Sequence, residues 1–291
     1  MPQPAAPLGP CPVALETTLV LHGVPRGRGR PLADELCEIV CWVGATPAIV
    51  GLVGGVARVG LTGDELDALL AAPQVPKANS SNLGLLMHTK SHGATTVSAT
   101  MELAAGAGVR VFATGGLGGV HHGMGTRLDI SADVGAFARF PVAVVTSGVK
   151  GLLDVVSTRE LLESLGIPVV GFRTDHFPAF YQRASGAGVD ARIDDLDALA
   201  SFVRDELKRT GRGIVVANPI PPDDEIPLSD WEGLLASALA AAEMAGVVGR
   251  DVTPFVLGTL HEVSAGRTLK ANLALVRSNT ALAAQIATRL G

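Results

Sequence analysis

The sequence predicts an α/β fold: a three-layer α/β/α single domain built on a large mixed, mostly parallel sheet. Three observations carry this expectation. Short apolar runs of strand length alternate with segments whose apolar residues recur at helical spacing. Two of the runs, Val109–Ala113 and Val142–Val145, end in small residues and then open into polar loops, as parallel strands do where they deliver ligand-binding residues. Finally, 47% of the 291 residues are hydrophobic and 18% are charged, which is ample material for a large core, and at 4% aromatic content that core is aliphatic. No repeat, low-complexity tract or linker divides the chain. Residues 12–291 therefore read as one α/β domain behind a disordered tail, residues 1–11.

The elements follow in order. PVALE at Pro12–Glu16 is a buried strand. Pro31 suits a first helical turn, and Leu32, Leu36, Ile39, Val40 and Val43 continue at helical spacing. Pro47–Val53 and Val56–Val59 are strands about the Gly54-Gly55 turn, and Thr62-x-x-Glu65 is a capping box for a helix through Leu70. Gly84–Met87 is a short apolar piece, and a small-residue helix runs from about Ser98 to Ala107. Strand Val109–Ala113, loop Thr114–Gly125 and strand Pro141–Val145 come next, then a helix over Thr158–Leu165 and a strand over Val169–Gly171. An amphipathic helix spans Asp194–Arg209, and Gly213–Ala217 is another strand. Ser229-x-x-Glu232 is expected to cap a long helix to about Ala245, Thr253-Pro254 to open the next, and the last to begin near Leu269.

Composition narrows the function. A net charge of −5 argues against a general nucleic-acid binder. Cys11, Cys37 and Cys41 form no disulfide framework; Cys37 and Cys41, four apart on a helix, are expected to be buried thiols, which fits a cytoplasmic protein. The proline-broken N-terminus has no signal-peptide pattern, and no apolar run is long enough to span a membrane.

Several residues carry candidate chemistry. Glu16 follows an apolar strand directly, either as a surface strand end or as a site carboxylate with Thr17, Thr18 and His22 nearby. Lys77 sits among Asn79, Ser80, Ser81 and Asn82, an array that suits a polar ligand or an ordinary loop. The glycines of Thr114–Gly125 let backbone N–H groups approach an anion, although GGLGG matches neither a dinucleotide nor a Walker A loop. His121 and His122 read as ligands, bases or plain loop residues. Asp129, Ser131 and Asp133 share one side whether extended or helical, and an all-oxygen donor set favours a hard cation, Mg²⁺ or Mn²⁺. Lys150 ends a buried strand, where desolvation would free its amine as a nucleophile toward a carbonyl; a salt bridge to Asp133 or Asp154 is the alternative. Phe177–Tyr181 is an aromatic cluster for a flat ligand or a local hydrophobic contact. Asn272 and Asn279, seven apart, share a helix face that meets a polar ligand or solvent.

The blocks ALETTLVLHGVP, GATTVSATM, VFATGGLGGVHHG, DISADV, TSGVKGLLD, VVANPIP, TPFVL and LKANLALVRSNTALAAQIA occur in an order that resembles the pseudouridine-5′-phosphate glycosidase family, also called indigoidine synthase A-like. The similarity runs from about residue 12 to 288. It implies an α/β/α fold, a homotrimer, a divalent metal (usually Mn²⁺) and reversible cleavage of the C–C bond between C1′ of ribose 5-phosphate and C5 of uracil. It also implies Lys150 as the nucleophile, Glu16 as acid/base and Asp129 as the metal ligand. Lys77, Val97, Ser131, Ala132 and Asp133 are implied as substrate contacts, with Thr114, His121 and Asn272 lining the phosphate and sugar region.

After Lys77 the family usually carries a Ser-Arg-Arg-Asp-like run, whereas this chain has Ala78-Asn79-Ser80-Ser81-Asn82, and Arg26, Arg28 and Arg30 follow His22-Gly23. These departures, with an Ala/Gly/Arg-rich composition suggestive of a GC-rich genome, favour the C-glycosynthase branch of alnumycin biosynthesis. On that expectation ribose 5-phosphate is joined to an aromatic polyketide. The alternatives are uracil as partner in a pseudouridine-5′-phosphate glycosidase, and a non-catalytic sugar-phosphate-binding protein.

Overall fold

A computed structural model describes residues 3–4, 8–122, 128–247 and 252–290. The first half of the chain comprises β1 (Gln3–Pro4), β2 (Pro12–Glu16), α1 (Thr17–His22), α2 (Gly29–Trp42), β3 (Thr46–Val53), β4 (Val56–Val59), α3 (Gly63–Ala71), β5 (Lys77–Ala78), α4 (Leu83–His88), β6 (Gly93–Thr95) and α5 (Val97–Gly106). The second comprises β7 (Val111–Ala113), α6 (Ala132–Phe137), β8 (Ala143–Thr146), α7 (Val155–Ser164), β9 (Val169–Phe172), β10 (Ala191–Ile193), α8 (Leu196–Thr210), β11 (Ile214–Ala217), α9 (Leu228–Met244), α10 (Val252–Val263) and α11 (Arg267–Leu290).

The strands form one sheet in the order β1-β4-β3-β2-β7-β8-β11-β9-β10, with β6 on β3 and β5 on β6. Every pair is parallel except β3 with β4 and β3 with β6. The central strands read as unbroken apolar runs because both faces are covered: Val13, Ala14, Val142–Val145 and Ile214–Ala217 have no exposed surface. Helices α2, α8 and α11 lie together on one face, and α5 and α6 pack together on the other. This is the mixed, mostly parallel three-layer sandwich that the alternating pattern predicts.

The order matters for function. From β2 the chain crosses to β3 on one side; from β7, the neighbour of β2, it crosses to β8 on the other. Right-handed crossovers in opposite directions place their helices on opposite faces and open a crevice at the carboxyl ends of β2 and β7. Glu16 and Thr114 stand at that crevice.

Several expectations are corrected. The tail is not wholly without structure: Gln3 and Pro4 pair in parallel with Arg58 and Val59, and the Thr46 hydroxyl donates to the Pro10 carbonyl at 2.7 Å. Cys41 is exposed and Cys37 only half-buried, because Leu32, Ala33, Leu36 and Val40 form the inward stripe of α2. Ser229 does not cap α9, which begins one residue earlier behind Pro227. Thr253 lies inside α10 rather than before it, and α7 starts at Val155 under an Asp154 cap. The segment after Glu16 is a short helix, and 93–95 is a strand; both are too short for a periodic signal.

One turn places the key lysine. After β8, Gly148 takes φ +78°, and a Cβ there would lie 1.8 Å from the Pro178 carbonyl oxygen. Leu117 N–H then donates to Gly148 O (2.8 Å) and Lys150 N–H to Leu117 O (3.0 Å), sewing the turn to the glycine loop. Gly148→Ala should therefore destabilise the protein by about 3 kcal/mol or more, combining left-handed strain with a backbone clash. Urea denaturation against wild type measures this.

Candidate active site

Two cavities open at the carboxyl ends of the central strands and share Glu16, Thr18, Lys77 and Lys150. The inner one, about 60 Å³, is completed by Leu19, His22, Thr114, Phe180, His261 and Asn272, among others. The outer one, about 150 Å³, is completed by Asn79, Thr96, His121, Ser131, Ala132 and Asp133, among others. A larger surface groove, about 760 Å³ beside Val20, Leu70 and His92, contains neither Glu16 nor Lys150.

Glu16 is 8% exposed, and the Thr114 hydroxyl donates to its Oε1. Burial pushes its carboxyl from 4.5 up to about 7, against the opposing pull of Lys150, the Thr114 hydrogen bond and Lys77. Those influences place both lysine charges within electrostatic reach of the carboxyl. The surface-strand reading of Glu16 is thereby excluded. The neighbouring hydroxyls are used structurally: Thr17 and Thr95 both donate to Val50 O, at 2.9 and 2.7 Å.

Lys150 is half-buried, and no carboxylate of the described residues forms an ion pair with it. The two anticipated partners are engaged elsewhere. Asp133 accepts Ser98 N–H at 3.0 Å and Gly118 N–H at 2.9 Å. Asp154 accepts Ser157 N–H at 2.9 Å as the cap of α7. Lys77, half-buried on β5, enters the site because β5 pairs in register with β6, Lys77 opposite Ala94.

Two glycines of the loop, Gly118 and Gly119, differ from their anticipated role. Gly118 N–H is committed to Asp133, and Cβ atoms at Gly118 and Gly119 would lie 2.2 Å from Ser131 Oγ and 2.3 Å from Thr158 Oγ1. These two glycines allow close packing. Ser131 caps α6 through Asp133 N–H (3.2 Å) while facing the outer cavity with Ala132. His121 lines the same cavity, and its N–H donates to Asp129 O at 3.0 Å. Val97 is 1% exposed and lines neither cavity, so the structure separates its side chain from the others.

On α11 the two asparagines divide their work. Asn279 is fully buried; its Nδ2 donates to Thr114 O at 2.8 Å and its Oδ1 accepts from Asn218 Nδ2 at 2.9 Å. It clamps the ends of β7 and β11. Asn272 lines the inner cavity, giving Nδ2 to Gly23 O at 3.2 Å and leaving Oδ1 buried without a partner.

Asp129 is exposed, and among the described residues no group of three or more His, Cys, Asp or Glu side chains could hold a metal. A lone carboxylate of this kind fits a hard divalent cation that keeps most of its water shell, not a protein-enclosed one. Asp133, expected on the same side as Asp129, is turned inward to backbone donors.

Sequence reasoning missed His261, and it offered Thr18 and Phe180 only as members of local clusters. His261 enters from α10, with Nδ1 2.7 Å from Thr268 Oγ1, and burial lowers its pKa. His22 also has a lowered pKa, from burial and then Lys77, and its Nε2 meets Val75 O at 2.9 Å. A lone histidine in an amphipathic helix carries no signal of its own. Phe180 could have been singled out only as part of its aromatic cluster.

A buried carboxyl near neutrality, two lysines and a switch-point crevice are the features expected of an enzyme's active site. Comparison with known proteins gives the family. The family model described as "Indigoidine synthase A like protein" matches residues 6–289, and the chain belongs to that family. It is 48% identical to a pseudouridine-5′-phosphate glycosidase of Methylobacterium nodulans, across 96% of this chain and 83% of the relative. With one of Nocardioides sp. it shares 44% identity, across 94% and 90%. Among solved structures it resembles an indigoidine synthase A-like protein of Thermotoga maritima (TM-score 0.86, 37% identity, 96% and 92% covered). It also resembles the prealnumycin C-glycosynthase AlnA in complex with ribulose 5-phosphate (TM-score 0.87, 33% identity, 96% and 91% covered).

The raised pKa of Glu16 has a consequence for stability. The folded chain holds this proton more tightly than the unfolded one, so ionising Glu16 opposes folding. The penalty is absent below pH 4.5, grows as pH rises, and is complete above about 7. Glu16→Gln should remove it. Relative to wild type, the variant should gain roughly 3 kcal/mol of stability between pH 4.5 and 8. Chemical denaturation at both pH values checks this.

Proposed function

We propose that this protein acts as a pseudouridine-5′-phosphate glycosidase, interconverting pseudouridine 5′-phosphate plus water with uracil plus ribose 5-phosphate. The observation that carries the reading is the pairing of Lys150 with a Glu16 carboxyl near pH 7 in one small cavity. The curated relatives at 48% and 44% identity bear this activity in their names.

A C-glycosidic bond has no leaving oxygen or nitrogen, so the paired-carboxylate route of ordinary glycosidases is insufficient. A lysine supplies what is missing. The Lys150 amine attacks C1′; the N–C1′ bond forms, the C1′–O4′ bond breaks, and a proton lost by the attacking nitrogen passes to O4′, leaving a neutral secondary amine. The protonated Glu16 carboxyl delivers a proton to C5 of the base. The nitrogen lone pair then forms C=N⁺ at C1′, while the C1′–C5 electron pair restores the C5–C6 double bond and releases uracil. Water adds to the iminium, returning the amine and open-chain ribose 5-phosphate. A carboxyl near neutrality suits both directions of the proton transfer.

The outer cavity is the seat for the sugar phosphate, with Lys77, His121 and Ser131 as donors. That AlnA was solved in complex with ribulose 5-phosphate supports a pentose phosphate as the ligand class. Asp129 would hold a hydrated Mn²⁺ or Mg²⁺ beside His121; when bound, the ion adds positive charge near the substrate's anionic end. Polyketide C-ribosylation, favoured from the loop departures, has weaker support. AlnA is the more distant relative at 33% identity, against 48% and 44% for the two glycosidases.

Incubation with pseudouridine 5′-phosphate, followed by mass spectrometry for uracil and ribose 5-phosphate, tests the reading. Wild type should release both, and Lys150→Ala should lower turnover by at least about 1,000-fold with an unchanged melting profile. Equal turnover by the variant would refute Lys150 as nucleophile.

A further inference from the structure

We propose that Phe180 is the specificity-determining residue that limits the acceptor to a single ring of pyrimidine size. The proposal deepens the glycosidase reading and rests on it.

Phe180 holds a backbone conformation that aromatic residues rarely adopt, with φ +61°. Such strain persists only where surrounding contacts over-determine it, and it clusters at functional sites. The contacts are visible. Phe180 N–H donates to Ser147 O at 2.9 Å, tying it to the same turn that carries Lys150. Its ring fills space vacated by two glycines: a Cβ at Gly116 would lie 2.5 Å from Phe180 Cδ2, and one at Gly115 would lie 3.4 Å from Cε2. Tyr181 packs edge-on against it at 4.6 Å and is itself braced by Trp231 at 5.1 Å. The ring is wedged between loop backbone and buried aromatics.

That wedged ring borders the inner cavity together with Lys150 and Glu16. The other walls are suited to a small planar heterocycle. The buried, unpartnered Asn272 Oδ1 is an acceptor for a ring N–H, and the His261 ring is held through Thr268. On the side of the cavity that Phe180 walls, a second fused ring has no place unless Phe180 moves, and its bracing opposes that.

The geometry permits a test in both directions. Phe180→Leu and Phe180→Ala enlarge the cavity, whereas Gly116→Ala forces the Phe180 ring inward. Each variant and wild type is assayed in the joining direction with ribose 5-phosphate and either uracil or a two-ring hydroxynaphthoquinone, with products weighed by mass spectrometry. Wild type should use uracil and not the two-ring acceptor. Phe180→Ala should raise KM for uracil at least tenfold, keep KM for ribose 5-phosphate within threefold, and gain product from the two-ring acceptor. Gly116→Ala should lower kcat/KM for uracil at least tenfold, and adding Phe180→Leu to it should restore activity. The proposal is overturned if Phe180→Leu, with an intact melting transition, changes neither the uracil KM nor the acceptor range, or if wild type uses both acceptors equally. Should the variants not fold, uracils of increasing substituent size on wild type decide: a sharp size limit supports the proposal and its absence overturns it. If wild type forms no product with either acceptor, the glycosidase reading itself fails, and the inference with it.

Discussion

A carboxyl group stands where water is nearly excluded. Glu16 ends β2, is 8% exposed, and is held by the Thr114 hydroxyl at the end of the adjacent β7. A buried carboxylate without compensation is unfavourable, so the surroundings must either neutralise it with a proton or answer it with positive charge. This site does both: burial raises the pKa to about 7, and Lys150 and Lys77 restrain the rise. The resulting group is poised between donor and acceptor at neutral pH.

Holding that balance requires the strand ends to stay in register. Asn279 bridges the carbonyl of Thr114 to the amide of Asn218 and so links β7 to β11 from the helix above. Ser147 donates to Asn218 O at 2.9 Å from the intervening turn. Asp133 performs the matching task on the other face, joining the first turn of α5 to the glycine loop. Both residues look like ligand-binding groups in the sequence, yet their polar atoms are spent on neighbouring backbone and side-chain groups. Among the described residues, Asn272 Oδ1 and the Lys150 amine face the inner cavity without a hydrogen-bond partner in the fold.

Much of the fold was legible because its cause is local. Fully buried parallel strands appear as unbroken apolar runs, and α2, α8 and α11 show helical spacing. What escaped has physical reasons. Helix α1 and strands β5 and β6 are too short to show a period, and they exist because neighbours supply their partners. Ser229 resembles a cap, but helix starts depend on backbone dihedrals that a motif does not fix. For the site, Glu16 and Lys150 were identifiable at strand ends and Lys77 in a polar loop, and resemblance sharpened their roles. His261 was not, since its value comes from tertiary placement alone, and Phe180 was visible only as one member of an aromatic cluster. The loop departures after Lys77 pointed toward a polyketide acceptor, whereas the nearer relatives are named for pseudouridine-5′-phosphate glycosidase activity.

Two lysines border both cavities, and the account assigns the covalent step to only one of them. Lys150 is carried on the Gly148 turn, while Lys77 lies on a short strand beside Asn79. Borohydride reduction of the wild-type protein in the presence of ribose 5-phosphate, followed by peptide mapping, separates them directly. The account predicts a reduced sugar-phosphate adduct on Lys150 and none on Lys77. An adduct confined to Lys77, or no adduct on either, would contradict it.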